Sequence, residues 1–257
     1  MTFFIRAMIF LLSGLGSSCF AASSILVWPI YQVIEADENS SALWLENKGN
    51  APVGLQIRIM SWKQIDFQDR YAEQNNVIAT PPFMTLEPGK RNMVRLIRVN
   101  SAPANTEQAY RIIIDEISVP YQQDAPKMGL QFQMRYLLPL FLDGEGVWTH
   151  SRPEKRRANA EPTLPVLSWR ISAVGGKNYL YVRNRGMVHA RLSNVYWSAD
   201  QSGKGSQIKV TDGFLGYVLP GQEMRWPLPA GISTPSATMQ LFTHLIDITD
   251  PILIKRE

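Results

Sequence analysis

Two arginines in strand-like segments are the residues of this sequence best suited to bind a ligand. In an antiparallel hairpin with Ile117 near Leu130, Arg111 would lie opposite residue 136 of the adjacent strand. Arg135 is the next residue along that strand, so the two arginines would be close together. Two guanidinium groups so close repel each other unless an anion joins them. Their forked donors match the geometry of a carboxylate. The spacing therefore indicates a carboxylate-binding pair.

The same arginines have a simpler interpretation. An internal acid such as Asp115 or Glu35 could neutralise them, or both side chains could extend into solvent. A second charged pair, Arg95 and Glu116, is best interpreted as a structural ion pair between strands.

Motifs of common catalytic and metal sites are absent from the sequence. His150, His189 and His244 lie far apart and lack the spacing of metal ligands. Neither a Gly-x-Ser-x-Gly motif nor a phosphate-binding glycine loop occurs. Asp115 and Glu116 are adjacent, so on a strand they face opposite sides and cannot act as a pair. We therefore expect no enzyme, no metal and no cofactor.

Residues 129–140, the segment that contains Arg135, alternate strictly between apolar and polar side chains. Leu130, Phe132 and Met134 fall on one face, because successive side chains of a strand point to opposite sides. With residues 109–117 this segment predicts a long hairpin whose second arm could offer its apolar row to another protein. The alternative is that the row fills the core of the chain itself.

The rest of the chain shows short strand-like segments separated by turn residues, without a convincing helix. In residues 24–35, Pro29 indicates an edge strand or a switch between sheets, because proline cannot donate to a central ladder. The pattern predicts an all-β protein with two tandem immunoglobulin-like β-sandwich domains, residues 22–142 and 163–257, joined by a linker of residues 143–162.

The predicted linker carries a basic run, Lys155-Arg156-Arg157. We expect this run to form a solvated turn between the domains. A phosphate-binding or membrane-binding patch is the alternative.

The N-terminus has the features of a secretory signal peptide over residues 1–21. Arg6 precedes a short apolar run, which is followed by small residues up to the predicted cleavage site. The apolar run is too short to span a bilayer. Cys19 is the only cysteine, so the exported chain is expected to form no disulfide. The net charge of +4 falls to +3 without Arg6, which is too weak to indicate nucleic-acid binding. We expect a soluble exported protein that does not insert into a membrane.

Short motifs in a specific order extend through most of the chain. They are Ala79-Thr80-Pro81-Pro82, Leu86-Glu87-Pro88-Gly89, Met93-Val94-Arg95-Leu96, Tyr110-Arg111-Ile112, Asp115-Glu116-Ile117 and Gly216-Tyr217-Val218-Leu219-Pro220-Gly221. In these motifs the chain resembles the periplasmic pilus-assembly chaperones of the chaperone–usher pathway. Ile25-Leu26-Val27-Trp28-Pro29-Ile30-Tyr31 and Phe132-Gln133-Met134-Arg135-Tyr136 are similar to the archaic, Csu-like branch.

The sequence departs from the better-known members of this family at one functional position. Those members bind the pilin C-terminus with an arginine of the first strand and a lysine of the last strand of domain one. Residues 24–35 contain no basic residue, so that pair has no counterpart here. Arg111 and Arg135 are the natural replacement.

The resemblance implies a periplasmic chaperone that lends a strand to an incomplete pilin sandwich by β-augmentation. Leu130, Phe132 and Met134 would fill the pilin groove, the arginine pair would bind its carboxylate, and an outer-membrane usher would receive the complex. No nucleotide is required. The alternative class is a structural or adhesive two-domain β-sandwich protein of the surface or pilus. We expect such a subunit to carry a polymerising N-terminal extension, whereas the first strand here follows the predicted cut within a few residues.

Overall fold

A computed structural model describes residues 25–117, 133–150, 152, 154–157, 161–229, 231–232, 235–236, 238–246 and 248–257. These residues contain β-strands and no helix, and the strands form two immunoglobulin-like sandwiches in tandem. The predicted fold class is therefore confirmed. The predicted row residues Leu130 and Phe132 lie outside the described residues, as do residues 1–21 of the predicted signal peptide.

The first sandwich contains the strands β1 (Ile25–Trp28), β2 (Gln32–Ile34), β3 (Ser40–Asn47), β4 (Val53–Ile65), β5 (Gln68–Ala72), β6 (Val77–Thr80), β7 (Phe83–Leu86), β8 (Arg91–Arg98), β9 (Glu107–Ile117) and β10 (Arg135–Asp143). A four-stranded sheet has the order β1-β3-β8-β6, and a second sheet has the order β2-β10-β9-β4-β5, with β7 also paired to β4. Alternating apolar residues of both sheets, such as Leu43, Leu55 and Ile112, are fully or almost fully buried between them. Their burial stabilises the sandwich by the hydrophobic effect.

The first strand changes sheets at Pro29. Strand β1 pairs with β3 in the four-stranded sheet, whereas β2 pairs in parallel with the end of β10 in the other sheet. The sequence predicted an edge position or a switch at this proline, and the switch is what occurs. Because β2 contacts only the last part of β10, it leaves the beginning of β10 uncovered on that side.

The second sandwich contains the strands β11 (Leu167–Val174), β12 (Lys177–Asn184), β13 (Ala190–Ser198), β14 (Gln207–Lys209), β15 (Phe214–Val218), β16 (Glu223–Pro227), β17 (Gln240–His244) and β18 (Ile252–Arg256). They form one continuous sheet whose two halves share a core around Trp169 and Trp197. The same pattern of asparagine hydrogen bonds occurs in both domains. Buried Asn47 and Asn184 each donate to two backbone carbonyls and accept from a backbone amide two residues later.

The predicted hairpin of β9 and β10 forms, but its predicted register is wrong. Arg135 is opposite Asp115, and Arg111 is opposite Pro139. Arg111 and Arg135 therefore lie on the same face of the sheet but four residues apart along the strands. At about 3.4 Å for each residue, their backbone positions are more than 13 Å apart, so the two guanidinium groups are not the adjacent pair that the sequence predicts.

The predicted ion pair between Arg95 and Glu116 is also wrong. Arg95 is on the four-stranded sheet, opposite Ala42, and its side chain is exposed. Glu116 is on the other sheet, where it is buried and accepts a hydrogen bond of 3.4 Å from the Tyr136 hydroxyl. The two strands are not neighbours, so the two side chains do not meet.

The basic run after β10 is not the solvated turn that the sequence predicts. Lys155 Nζ and Arg157 Nη2 each lie 2.7 Å from a carboxylate oxygen of Glu35, whose side chain is almost fully buried. Burial by itself would raise the pKa of Glu35, but the hydrogen bonds and charges of Arg157 and Lys155 hold it below its usual value. Arg156 remains exposed. The run therefore binds the segment after β10 to an acidic turn of the first sandwich.

Candidate functional site

The outer face of the six-stranded sheet carries the candidate site. Odd-numbered residues of β9 and β10 share this face, because directly opposite residues of an antiparallel pair point to the same side. At one end of the face Phe141 is fully buried against the second domain. At the other end Leu137 is 44% exposed and Ile117 is 40% exposed. Arg111 lies between these two ends. There Trp62 of the first domain and Tyr217 of the second domain form, with Arg111, what we call the cleft.

Arg111 is held by aromatic rings from both domains. Its guanidinium carbon lies 3.6 Å from the centre of the Trp62 ring and 5.3 Å from the centre of the Tyr217 ring. Such cation–π contacts stabilise a cation that is partly removed from water. The nearest acid is Asp69, at 3.8 Å, and Arg111 Nε has no hydrogen-bond partner among the described residues. Because that nitrogen is buried, only the terminal nitrogens of Arg111, whose ion pair with Asp69 is long, could bind a further anion.

A second cation reaches the cleft from the other domain. Arg191 on β13 is the register partner of Tyr217 on β15, and its guanidinium donates to the Ser193 hydroxyl at 2.6 Å. Burial raises the pKa of Tyr217, and the charges of Arg191 and Arg111 partly oppose this rise. The tyrosine hydroxyl therefore stays protonated at neutral pH and can donate a hydrogen bond.

Arg135 has the internal partner that the sequence left open as an alternative. Asp115 accepts hydrogen bonds from Arg135 Nε and, at 2.7 Å, from Arg58 Nη2. Burial by itself would raise the pKa of Asp115, but its two arginine partners hold it below its usual value. Because Arg135 is already neutralised and lies far from the cleft, it is poorly placed to act with Arg111.

The beginning of β10 has a free edge. The amide of Glu116 donates to the carbonyl of Met134 at 3.0 Å, which makes the even-numbered residues of β10 the ones that bond to β9. The backbone groups of Arg135 and Leu137 therefore point away from β9. Among the described residues no strand pairs with this edge before Leu140, where β2 begins its contact. Such an edge can accept an additional strand.

Met134 is the one member of the predicted apolar row within the described residues, and its side chain is 46% exposed. By the alternation of β10 it follows Tyr136 and Leu138, which pack against the core of the first sandwich. The row therefore continues the inner face of the sheet beyond the end of this core.

The joint between the two domains closes one end of the cleft. The ring of Phe141 stacks on that of His189 at 3.5 Å, and His189 Nδ1 lies 2.7 Å from Glu107 Oε2. The Tyr31 hydroxyl lies 2.8 Å from His189 Nε2. Gln64 of β4 adds a second connection, because its side chain bonds the backbone of β15 and of Leu219. These contacts position Tyr217 beside Arg111.

Several residues of the cleft were not found by reasoning from the sequence. Trp62 and Tyr217 look like ordinary core aromatics in the sequence, and Arg191 looks like an ordinary surface charge of a strand. His189 and Glu107 are far apart in sequence, so no spacing rule connects them. A buried polar pair between domains leaves no periodic signal in either strand.

Comparisons with known proteins place this arrangement in a family. Residues 30–147 match the family described as Pili and flagellar-assembly chaperone, PapD N-terminal domain. The chaperone CsuC of Acinetobacter baumannii, solved in a pre-assembly complex with the tip subunit CsuE of archaic Csu pili, is 32% identical. That match covers 91% of this chain and 99% of CsuC, with a TM-score of 0.69.

Two further relatives are more distant. The probable fimbrial chaperone YadV of Escherichia coli (strain K12) is 26% identical over 180 residues, which is 65% of this chain and 67% of that protein. The SafB chaperone of Salmonella enterica, solved with the SafA pilin, shares the fold at 19% identity, with a TM-score of 0.59 over 91% of this chain and 97% of that chain.

The fold and these matches define the class of the protein: the chain belongs to the pilus-assembly chaperones of the chaperone–usher pathway. Within this class it belongs to the archaic, Csu-like branch. Family and fold both point to a non-enzymatic role. In the part of the chain that the structure describes, no helix is long and apolar enough to cross a membrane. The same residues contain no cluster of acids, histidines or cysteines that could hold a metal.

Proposed function

We propose that this protein works in the periplasm, where it binds newly exported pilus subunits by donor-strand complementation and delivers them to an outer-membrane usher. The observation that carries the proposal is the free edge at the beginning of β10, next to the cleft that contains Arg111. The membership of the chain in the chaperone family supplies the class of client.

The lent strand is the predicted segment 129–140, whose last part overlaps the beginning of β10. Leu137 and Arg135 present their backbone groups to the client, whose open edge gains a strand. The apolar row Leu130, Phe132 and Met134 enters the groove of the client, and each of these side chains contributes about 1.5–3 kcal/mol if fully buried. This row is the reason that Met134 is left exposed in the free protein.

The carboxylate of the client binds at Arg111 in this proposal. Arg135 was the second member of the anchor predicted from the sequence, but its pairing with Asp115 makes Arg191 and Tyr217 the better partners of Arg111. An anchor formed by both domains fixes the register of the client strand, because it ties one end of the client to the cleft.

Affinity purification from periplasmic extract tests the proposed function directly. The tagged protein is expected to co-purify with a small β-rich subunit in a 1:1 complex, which mass spectrometry would identify. Recovery of the protein alone, from cells that secrete pilus subunits, would count against a chaperone of this kind.

Loss of the Arg111 charge is expected to weaken client capture. Arg111→Met keeps the length and apolar contact of the side chain on Trp62 but removes the charge-assisted bonds to a carboxylate. Such bonds contribute about 1.5–3 kcal/mol, which is roughly a 10-fold to 150-fold change in Kd. Competition between wild type and variant for a purified client subunit measures the effect.

Arg58→Met is the matched control for this experiment, because Arg58 lies on the same face but is paired with Asp115 away from the cleft. We expect it to bind the client like wild type. Equal capture by the Arg111 and Arg58 variants would mean that the carboxylate is bound elsewhere.

A further inference from the structure

A buried carboxyl group without a hydrogen bond lies at the joint between the domains. Asp143 is the last residue of β10, its exposure is 0%, and neither carboxyl oxygen has a partner among the described residues. Burying an ionised carboxylate in this way is very unfavourable, whereas a protonated carboxyl is tolerated. None of the proposed steps of client binding uses this group.

The position directly opposite Asp143 is occupied by a second acid. Asp143 and Glu107 are register partners on β10 and β9, so their side chains leave the sheet on the same face. Glu107 accepts the backbone amide of His189 at 2.9 Å and faces His189 Nδ1 at 2.7 Å. Glu107 is therefore one of the contacts between the two domains, and Asp143 is its direct neighbour across the ladder.

The other charged groups that face Asp143 are mostly negative. Glu35 and Glu38 approach from the turn after β2, and Arg157 approaches from the segment after β10. Arg157 is already bonded to Glu35 at 2.7 Å, so its charge is shared. Burial first, and then the charges of Glu107 and Glu35, raise the pKa of Asp143 to about 8.

We propose that the joint between the domains is a proton-controlled latch, in which Asp143 keeps a proton while the joint is closed and loss of that proton loosens the contact between Glu107 and His189. Once ionised, Asp143 places a second negative charge beside Glu107 in a dry environment. Water that enters the joint would reduce the repulsion between the two carboxylates, and its entry requires the two domains to separate slightly.

Space for this water lies next to the latch. A cavity of ≈ 40 Å³ is lined by Tyr31, His150, His189 and Arg191, among others. Tyr31 bonds His189 Nε2 at 2.8 Å, and its ring meets the ring of His150 at 5.2 Å. Opening at this point would move Arg191 away from Arg111, because Arg191 follows His189 by two residues on the second domain. The latch would thus control the geometry of the cleft, whichever client the cleft binds.

Two measurements on the free protein, starting at Ala22, test the latch together. The first is the pH titration of the Asp143 carboxyl carbon by NMR, for which we expect a midpoint near pH 8. The second is the distance between spin labels on Arg95→Cys and Lys177→Cys, two exposed positions on different domains. We expect this distance distribution to shift or broaden with the same midpoint.

Asp143→Asn is expected to keep the low-pH distance distribution at all pH values, because it cannot ionise. Asp212→Asn is the control, since Asp212 is an exposed acid of the second domain and its loss should leave the transition unchanged. If Asp143→Asn fails to fold, Glu107→Gln replaces it. That variant should lower the midpoint of Asp143 by about one pH unit, because a facing negative charge is removed.

A midpoint of Asp143 below about pH 6 would overturn the latch, because Asp143 would then already be ionised at neutral pH. An inter-domain distance that stays constant while Asp143 titrates near pH 8 would overturn it as well. Neither result depends on a client, so failure of the latch is distinguishable from failure of the proposed function.

Discussion

Leu137→Pro is expected to weaken client capture and to leave the chaperone folded. The amide of Leu137 points to the free edge of β10, so a proline removes a donor that the protein's own sheet does not use. Pro139, the next residue with the same orientation, shows that this edge accepts proline. The client strand would lose a backbone hydrogen bond and retain an unpaired carbonyl, at a cost of about 1–3 kcal/mol.

This cost corresponds to roughly a 5-fold to 150-fold weaker complex, and a kinetic competition for a purified client subunit would measure it. Leu137→Ala separates the backbone from the side chain, because it keeps the amide and removes only a half-exposed leucine. We expect this variant to bind far better than Leu137→Pro. Leu138→Pro is the opposite control, since the amide of Leu138 bonds to β9 and its loss should lower the melting temperature.

The strand-lending assignment would be wrong if Leu137→Pro captured the client as well as Leu137→Ala does. It would also be wrong if Leu137→Pro and Leu138→Pro lowered the melting temperature equally. In that case the edge of β10 would be structural, and the client would bind another surface.

Asp143→Asn is expected to stabilise the protein increasingly as the pH rises. The folded state raises the pKa of Asp143 to about 8, whereas the unfolded chain has an ordinary aspartate value of about 3.9. Below the lower value both states are protonated, so wild type and variant should be similar. Between the two values only the unfolded wild type releases the proton, which lowers its free energy of unfolding by about 1.4 kcal/mol for each pH unit.

The advantage of the variant should therefore grow from about pH 4 to about pH 8 and then stay constant, reaching several kcal/mol. Urea unfolding at pH 4, 6 and 8 measures this difference. Asp212→Asn, which changes an exposed acid, should show no such trend. A constant difference between Asp143→Asn and wild type at all three pH values would mean that Asp143 is ionised in the folded protein.

The pairing of β9 with β10 could be predicted from the sequence, but its register could not. Alternation determines which residues share a face within one strand, and it says nothing about how far one strand slides along the next. The slide is set by the connection between the strands and by backbone pairing. Pro139 contained a clue, because a proline inside a paired strand must occupy a position whose amide points away from the partner.

The charged residues of the strands show the same limit. The sequence offered Asp115 as one possible partner for Arg135, and the structure selects it because both residues are opposite each other across the ladder. Arg95 and Glu116 fail to meet because β8 and β9 belong to different sheets. A charge in a strand finds its partner by sheet order, which depends on contacts between distant segments.

Local patterns of this chain were sufficient for its all-β class and its tandem sandwiches, and they narrowed Pro29 to an edge strand or a switch of sheets. These features depend on side-chain alternation, turn residues and the missing amide of proline, which act within a few residues. Its family was also evident from the order of short motifs. Only the tertiary structure decided which residues form the cleft and the joint. Arg111 meets Tyr217, and Glu107 meets His189, because two domains dock through buried aromatic rings. That docking brings together residues that no sequence period connects.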